Sequence, residues 1–124
     1  RVSQGTVYQL LMSCRESDFS TILDGVHGAK ITSWWDRAAD IIPSNSGKGI
    51  AVMDVLDYYG ISREKSIAFG DGKNDIEMLR AVGIGVAMGN SCTEVKDRAD
   101  ESCLSVEEDG IYHYFLERNM IEAI

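Results

Sequence analysis

The sequence predicts an α/β protein in which a parallel sheet is flanked by helices. From residue 46 onward, segments with helical periodicity alternate with short apolar runs, in the order helix, strand, helix, strand, helix, strand, helix. Two of these runs, SIAFG (66–70) and IGVAM (84–88), are apolar throughout, which is typical of strands buried on both faces. Together these observations indicate part of a Rossmann-like sheet.

The first 43 residues predict a smaller α/β arrangement with shorter elements. Its expected elements are a strand at 7–14 (VYQLLMSC), a helix at 17–26, and strands at 29–35 (AKITSWW) and 39–43 (ADIIP). Pro43 closes the last strand, and the turn-rich stretch SNSGKG follows it. We therefore expect one domain at residues 1–43 and a second at residues 44–124.

The second domain is predicted to begin with a helix that Ser46 caps. The remaining elements are expected, in order, as a strand at 66–70, a helix from Asn74 or Asp75 to Gly83, a strand at 84–88, a helix at 91–98, a strand at 101–106 and a helix from Glu107. Ser91 and Glu94 have the spacing of a capping box, which predicts Ser91 as the start of its helix.

Composition excludes several classes of partner. The net charge of -8 argues against nonspecific binding to nucleic acid or anionic lipid, because phosphate-rich surfaces need a basic protein face. No apolar stretch approaches the roughly 20 residues that cross a bilayer. Three cysteines without a CxxC pair indicate neither a zinc site nor a disulfide framework. We expect a cytoplasmic protein with reduced thiols.

The loop GDGKND (70–75) concentrates charge where a predicted strand meets a helix. Asn74 and Asp75 are explained by an ordinary turn with helix capping, but Asp71 is not. Asp71 follows the strand directly, at the sheet edge where α/β proteins bind ligands. Two carboxylates so close repel each other unless a cation lies between them, and Mg²⁺ bound by one or two carboxylates would fit. The spacing matches neither an EF-hand loop nor a Walker A loop.

Lys48 occupies an unfavourable place in the predicted fold. A cation in the first turn of a helix opposes the helix dipole, at a cost of roughly 0.3–1 kcal/mol. A solvated surface lysine is one explanation. The other is an anion-binding role, since backbone amides and an ammonium group would meet at the same point.

The pairing of SGKG (46–49) with GDGKND (70–75) resembles the haloacid dehalogenase-like (HAD) superfamily of phosphatases, and most closely its Cof-type subfamily, in which an α/β cap is inserted into the core. VAMGNS (86–91) and EEDGI (107–111) are similar to the same family's later segments. The resemblance covers nearly all of residues 46–118, and residues 1–43 look like the closing half of the cap.

The resemblance implies a role for each of four polar residues. Asp71 would bind Mg²⁺, and Asp75 would complete the metal site beside it by orienting Lys48 or a metal-bound water. Lys48 would neutralise charge on the nucleophile and on the transferring phosphoryl group, and Asn74 would contact the phosphate. The implied reaction is hydrolysis of a small phosphorylated metabolite, such as a sugar phosphate, through an aspartyl-phosphate.

One part of the family pattern is missing from this sequence. The family's nucleophile is the first Asp of a DxD-type motif, and the sequence contains no DxD. We therefore expect the chain to be the carboxyl-terminal portion of a longer phosphatase and to be inactive alone. The edge of the strand at 66–70 would then be uncovered, which predicts either self-association through that edge, as in a homodimer, or poor solubility.

Two other interpretations of the chain stay open. It could be a half-domain that binds metal, phosphate or a partner protein without catalysis, or its charged residues could be surface features. The sequence upstream of Arg1 separates the first of these from the enzyme, since only the enzyme needs a DxD motif there.

Overall fold

The computed structural model describes residues 5–123, which separate into two units that divide between Gly47 and Lys48. The predicted domain boundary after residue 43 lies just before this division. Gly47 has a φ of 136°, a value that side-chain-bearing residues rarely adopt. The chain therefore passes from one unit to the other through a glycine that the local backbone requires.

The first unit contains a three-stranded antiparallel sheet in the order β1–β3–β2. Its strands are β1 (Leu10–Met12), β2 (Ala29–Trp35) and β3 (Ala38–Pro43). The two later strands agree with the prediction, whereas the strand expected at 7–14 is limited to the three residues that pair with β3.

The helix expected at 17–26 is also shorter than predicted. A 3₁₀ turn at Glu16–Asp18 leads into α1 (Phe19–Ile22). Gly25 and Gly28 then adopt φ values of 69° and 77°, which turn the chain towards β2. Apolar spacing alone therefore overestimated the length of this helix.

The second unit alternates helices with parallel strands, as predicted. Its elements are α2 (Lys48–Tyr59), β4 (Ile67–Gly70), α3 (Ile76–Ala81), β5 (Ile84–Ala87), α4 (Thr93–Lys96), β6 (Glu101–Ser102) and α5 (Gly110–Glu117). The strands pair in the order β4–β5–β6, and every pairing is parallel. The fold class is therefore confirmed as α/β with a parallel sheet flanked by helices.

The core of this unit lies between the sheet and its helices. Leu79 from α3 and Val95 from α4 are almost completely buried with residues of β4 and β5. Burying one such side chain stabilises the fold by about 1.5–3 kcal/mol. Because α3 and α4 follow β4 and β5 directly, this packing fixes the loops between each strand and its helix.

Helices α2 and α3 approach closely at Gly49. A Cβ at that position would lie 2.8 Å from the backbone oxygen of Glu77, closer than real contacts allow. Glycine is a poor helix former, and its presence in the first turn of α2 is explained by this contact. The start of α2 is thereby held against the start of α3.

Both predicted serine caps are wrong. Helix α2 begins at Lys48, so Ser46 lies too early to cap it, and the Ser46 hydroxyl donates to the carbonyl of Pro43 at 2.9 Å. Cys92 is the N-cap of α4, while the Ser91 hydroxyl donates to the carbonyl of Met88 at 2.6 Å. In each case the serine hydroxyl stabilises the preceding turn instead of the helix.

None of the helices in residues 5–123 has the length and apolar character needed to cross a membrane.

Candidate functional site

The loops that follow β4 and β5 begin side by side. Gly70 and Ala87 are partners in the parallel register, and the amide of Met88 donates to the carbonyl of Gly70 at 2.9 Å. The segment after β6 joins them, because the amide of Cys103 donates to the carbonyl of Ala87 at 3.0 Å. Three loops therefore meet at the carboxyl edge of the sheet, where ligands bind in open α/β folds.

Asp75 organises the first of these loops from within. Asp75 is only 6% exposed. Its Oδ2 accepts hydrogen bonds from the amides of Asp71 and Gly72, each at 3.1 Å. Its Oδ1 accepts a hydrogen bond from Nζ of Lys48. Both carboxylate oxygens are thus engaged, one with the loop backbone and one with the lysine of α2.

The surroundings of Asp75 favour its ionised form. Burial acts to raise the pKa of its carboxyl group, but the hydrogen bond from Lys48 and those from the Gly72 and Asp71 amides outweigh burial, so the pKa lies below its ordinary value. Asp75 is therefore a fixed negative charge that holds the Lys48 ammonium at the loop.

Gly70 makes room for this carboxylate. A Cβ on Gly70 would lie 2.6 Å from Cβ of Asp75 and 3.1 Å from its Oδ2. The Asp75 side chain therefore packs directly on the end of β4, and a larger residue at position 70 would displace it.

Lys48 reaches the loop from the start of α2. It is the first residue of α2, and its side chain is 49% exposed while it pairs with the nearly buried carboxylate of Asp75. The ammonium group is thus positioned by one partner and open to solvent on its other side. The contact between α2 and α3 at Gly49 brings the two charged groups within reach.

Asp71 differs from Asp75 in being exposed. Its Oδ2 accepts a hydrogen bond from Nδ2 of Asn90 at 3.0 Å, and within residues 5–123 the structure gives its Oδ1 no hydrogen-bond partner. Asn74, half-buried, lies in the 3₁₀ turn Lys73–Asp75 between the two carboxylates. The loop therefore presents one carboxylate to solvent and keeps the other for its own structure.

The loop offers a Mg²⁺ ion one open carboxylate. Among the described residues no three His, Cys, Asp or Glu side chains are grouped closely enough to enclose a metal. Mg²⁺, however, usually binds through one or two carboxylates together with waters and substrate phosphates. Asp71 fits such a site as an open carboxylate, whereas the oxygens of Asp75 already have donors.

Lys73 pairs with Glu94 of α4 at 3.0 Å, and both side chains are more than 40% exposed. A pair so open to water contributes little to stability. It does show that Lys73 is directed along the surface towards α4.

Asn90 is the residue that sequence reasoning missed at this site. It lies in the loop after β5, in the segment VAMGNS, and its side chain bridges Asp71 and the amide of Val106. The segment itself was a recognisable signal. Its proximity to Asp71 depends on the pairing of β4 with β5, which local periodicity does not reveal.

The chain matches a known family of hydrolases. The family model described as haloacid dehalogenase-like hydrolase matches residues 3–115. The 5-amino-6-(5-phospho-D-ribitylamino)uracil phosphatase YitU of Bacillus subtilis is 39% identical to the chain, over 90% of the chain and 44% of that protein. The pyridoxal phosphate phosphatase YbhA of Escherichia coli is 46% identical over 55% of the chain and 25% of its own length.

A solved structure gives the same result for the fold. The HAD subclass IIB sugar phosphatase BT4131 superposes with a TM-score of 0.88 at 32% identity, over 96% of the chain and 46% of that protein. The chain thus spans less than half the length of YitU and of BT4131. It belongs to the haloacid dehalogenase-like hydrolases, within their Cof-type subfamily.

Proposed function

We propose that the full-length protein containing this chain is a Mg²⁺-dependent phosphatase that hydrolyses small phosphorylated metabolites, with sugar-phosphate-like substrates, through an aspartyl-phosphate. The observation that carries the proposal is the arrangement of two charges at one loop: the half-exposed ammonium of Lys48, held by Asp75, and the exposed carboxylate of Asp71. Phosphoryl transfer depends mainly on positioning and on cations placed where charge spreads over oxygens. YitU, YbhA and BT4131, by their names, all act on phosphate groups of small molecules.

Each polar residue of the loop has a distinct task in this proposal. Lys48 neutralises the phosphoryl oxygens and the attacking carboxylate, and Asn74 donates to the phosphate. Asp71 provides the carboxylate for Mg²⁺, which when bound would offset the negative charge of the phosphate. Asp75 contributes to the metal site indirectly, because its two oxygens hold Lys48 and the backbone of the Asp71–Gly72 turn.

The same proposal assigns each of the two units to a part of the full-length protein. Residues 1–43 form the closing half of a cap, and residues 44–124 form the carboxyl-terminal part of the catalytic core. The nucleophile then comes from a DxD motif outside this chain, since residues 1–124 contain none. The free cysteines Cys14, Cys92 and Cys103 support a cytoplasmic location.

A comparison of two proteins tests the proposal. The full-length protein is expected to hydrolyse sugar phosphates in the presence of Mg²⁺ and to lose that activity with EDTA, whereas the 124-residue chain alone is expected to show no turnover. Phosphate release measured for both proteins over a panel of phosphate monoesters gives the answer. Hydrolysis by the chain alone would contradict the assigned source of the nucleophile. A full-length protein that binds Mg²⁺ and phosphate without turnover would favour the binding half-domain.

The edge of β4 carries a second proposal, about assembly. β4 pairs with β5 on one side, and on its other side no strand of the described chain pairs with it. An unpaired strand edge favours pairing with another chain, so we expect the 124-residue chain by itself to form a homodimer through β4. Sedimentation velocity over a range of concentrations measures this, and a monomer at every concentration would refute it.

A further inference from the structure

Asn90 connects three loops that the chain brings together only through strand pairing. Its Nδ2 donates to Oδ2 of Asp71 at 3.0 Å, and its Oδ1 accepts from the amide of Val106 at 3.1 Å. Asp71 follows β4, Asn90 follows β5, and Val106 begins the 3₁₀ turn Val106–Glu108 that follows β6. One side chain therefore spans the whole carboxyl edge of the sheet.

The orientation of the Asn90 amide is determined by its partners. A backbone N–H can only donate, so the group facing Val106 has to be the side-chain oxygen. The NH₂ group is then left for Asp71, whose ionised carboxylate can only accept. If the amide were rotated by 180°, its NH₂ group would face the Val106 N–H and its oxygen would face the Asp71 carboxylate. Neither hydrogen bond could then form, so a single orientation satisfies both neighbours.

The backbone that carries Asn90 is itself held at several points. The amide of Gly89 donates to the carbonyl of Leu104 at 3.1 Å, and Nζ of Lys96 donates to the carbonyl of Gly89 at 2.7 Å. A Cβ on Gly89 would lie 2.6 Å from the amide nitrogen of Ser105, so this loop packs tightly on the segment after β6. Asn90 thus extends from a rigid support towards an exposed carboxylate.

We infer that Asn90 is a positioning residue for Asp71: it holds one carboxylate oxygen of Asp71 so that the other is presented to Mg²⁺. This rests on the proposed function, in which Asp71 binds the metal. A carboxylate on an exposed loop would otherwise sample several rotamers, and its affinity for the metal would fall with the fraction of time spent in the competent one. Hydrogen bonds from neighbouring groups that orient metal ligands commonly have this effect.

Three variants of the full-length protein separate this role from a merely structural one. Asn90→Ala removes both hydrogen bonds. Val106→Pro removes the amide that orients Asn90 and leaves the Asn90 side chain in place. It does so at a first-turn position where proline is tolerated and after Ser105, whose φ of -68° and ψ of 166° suit a residue before proline. Val106→Ala keeps the amide and changes only an exposed side chain, so it is the matched control.

The measurements are the Mg²⁺ dissociation constant by titration calorimetry and the melting temperature with and without Mg²⁺. We expect Asn90→Ala to weaken Mg²⁺ binding about tenfold, as for other groups that orient metal ligands. Val106→Pro should weaken it less, since Asn90 can still donate to Asp71. The metal-free melting temperature should stay unchanged, and the rise in melting temperature on adding Mg²⁺ should shrink. Val106→Ala should bind Mg²⁺ like the unaltered protein.

Two results would overturn the inference. An unchanged Mg²⁺ dissociation constant in Asn90→Ala would do so while leaving the proposed phosphatase intact, provided that the unaltered protein binds Mg²⁺ and hydrolyses phosphate esters. Failure of the unaltered protein to bind Mg²⁺ would overturn the proposed function, and this inference with it.

Discussion

Replacing Asp71 by alanine in the full-length protein is expected to reduce Mg²⁺-dependent hydrolysis by about 10³-fold or more, the scale of losing a principal source of transition-state charge stabilisation. The reason is that Asp71 is the carboxylate that the loop leaves open to solvent, while Asp75 is committed to Lys48 and two amides. Because Asp71 is exposed, the free energy of unfolding should change by no more than about 0.5 kcal/mol.

Asp71→Asn refines this experiment. Asparagine keeps an oxygen that can accept the hydrogen bond from Asn90 but removes the negative charge. We expect it to be almost as inactive as the alanine variant, since the charge is what attracts the cation. Asp57→Ala, on the exposed part of α2, controls for a general loss of acidic charge. Phosphate release at several Mg²⁺ concentrations is the measurement, and full activity in Asp71→Asn would show that the carboxylate does not serve the metal.

Replacing Lys48 by methionine is expected to have a comparably large effect, about 10³-fold on kcat/KM, because in the proposed reaction its ammonium neutralises the transferring phosphoryl group. Methionine retains much of the aliphatic side chain, so the packing of α2 should be preserved. The cost in folding stability should be only about 1 kcal/mol, because the pair is half-exposed and Asp75 keeps its amide donors.

The same variant has a predictable pH dependence. The pKa of Asp75 is lower in the folded chain than in the unfolded one, so its interactions stabilise the fold above the unfolded value of about 4 and are lost as the pH falls through the folded value. Lys48→Met removes one of the causes, so stability should fall less steeply on acidification than in the unaltered protein. Urea midpoints at neutral and acidic pH measure this.

Lys48→Arg is the control for charge without the same geometry. Guanidinium and ammonium groups differ in shape and reach, so we expect partial activity with most of the stability retained. If Lys48→Met hydrolysed phosphate esters as fast as the unaltered protein, the ammonium would have no role in the reaction and the contact with Asp75 would be structural.

The sequence predicted the parts of this structure that depend on local pattern. The buried strands at 66–70 and 84–88 were visible as apolar runs, and α2 and α3 as helical periods. Helix ends were predicted less well. Ser91 has the correct spacing for a capping box, yet its hydroxyl bonds the carbonyl of Met88, because the turn after β5 offers a nearer acceptor.

At the candidate site, too, some residues could be predicted from the sequence and others could not. The family resemblance implied that Asp75 orients Lys48, and the structure brings the two side chains together. Asn90 could not be identified from the sequence. An exposed asparagine in a turn has many ordinary explanations, and its contact with Asp71 exists only because β4 and β5 are neighbours in the sheet.

Because Gly49 has no side chain, α2 and α3 can lie close together, and this affects more than α2 itself. It sets the spacing between the first turns of α2 and α3, and through that spacing it sets how far the neighbouring lysine has to extend. The position of the Lys48 ammonium at the loop therefore depends on the close contact between the two helices as well as on the lysine's own rotamer. A side chain at position 49 would push α2 away from α3 and would move Lys48 away from Asp75.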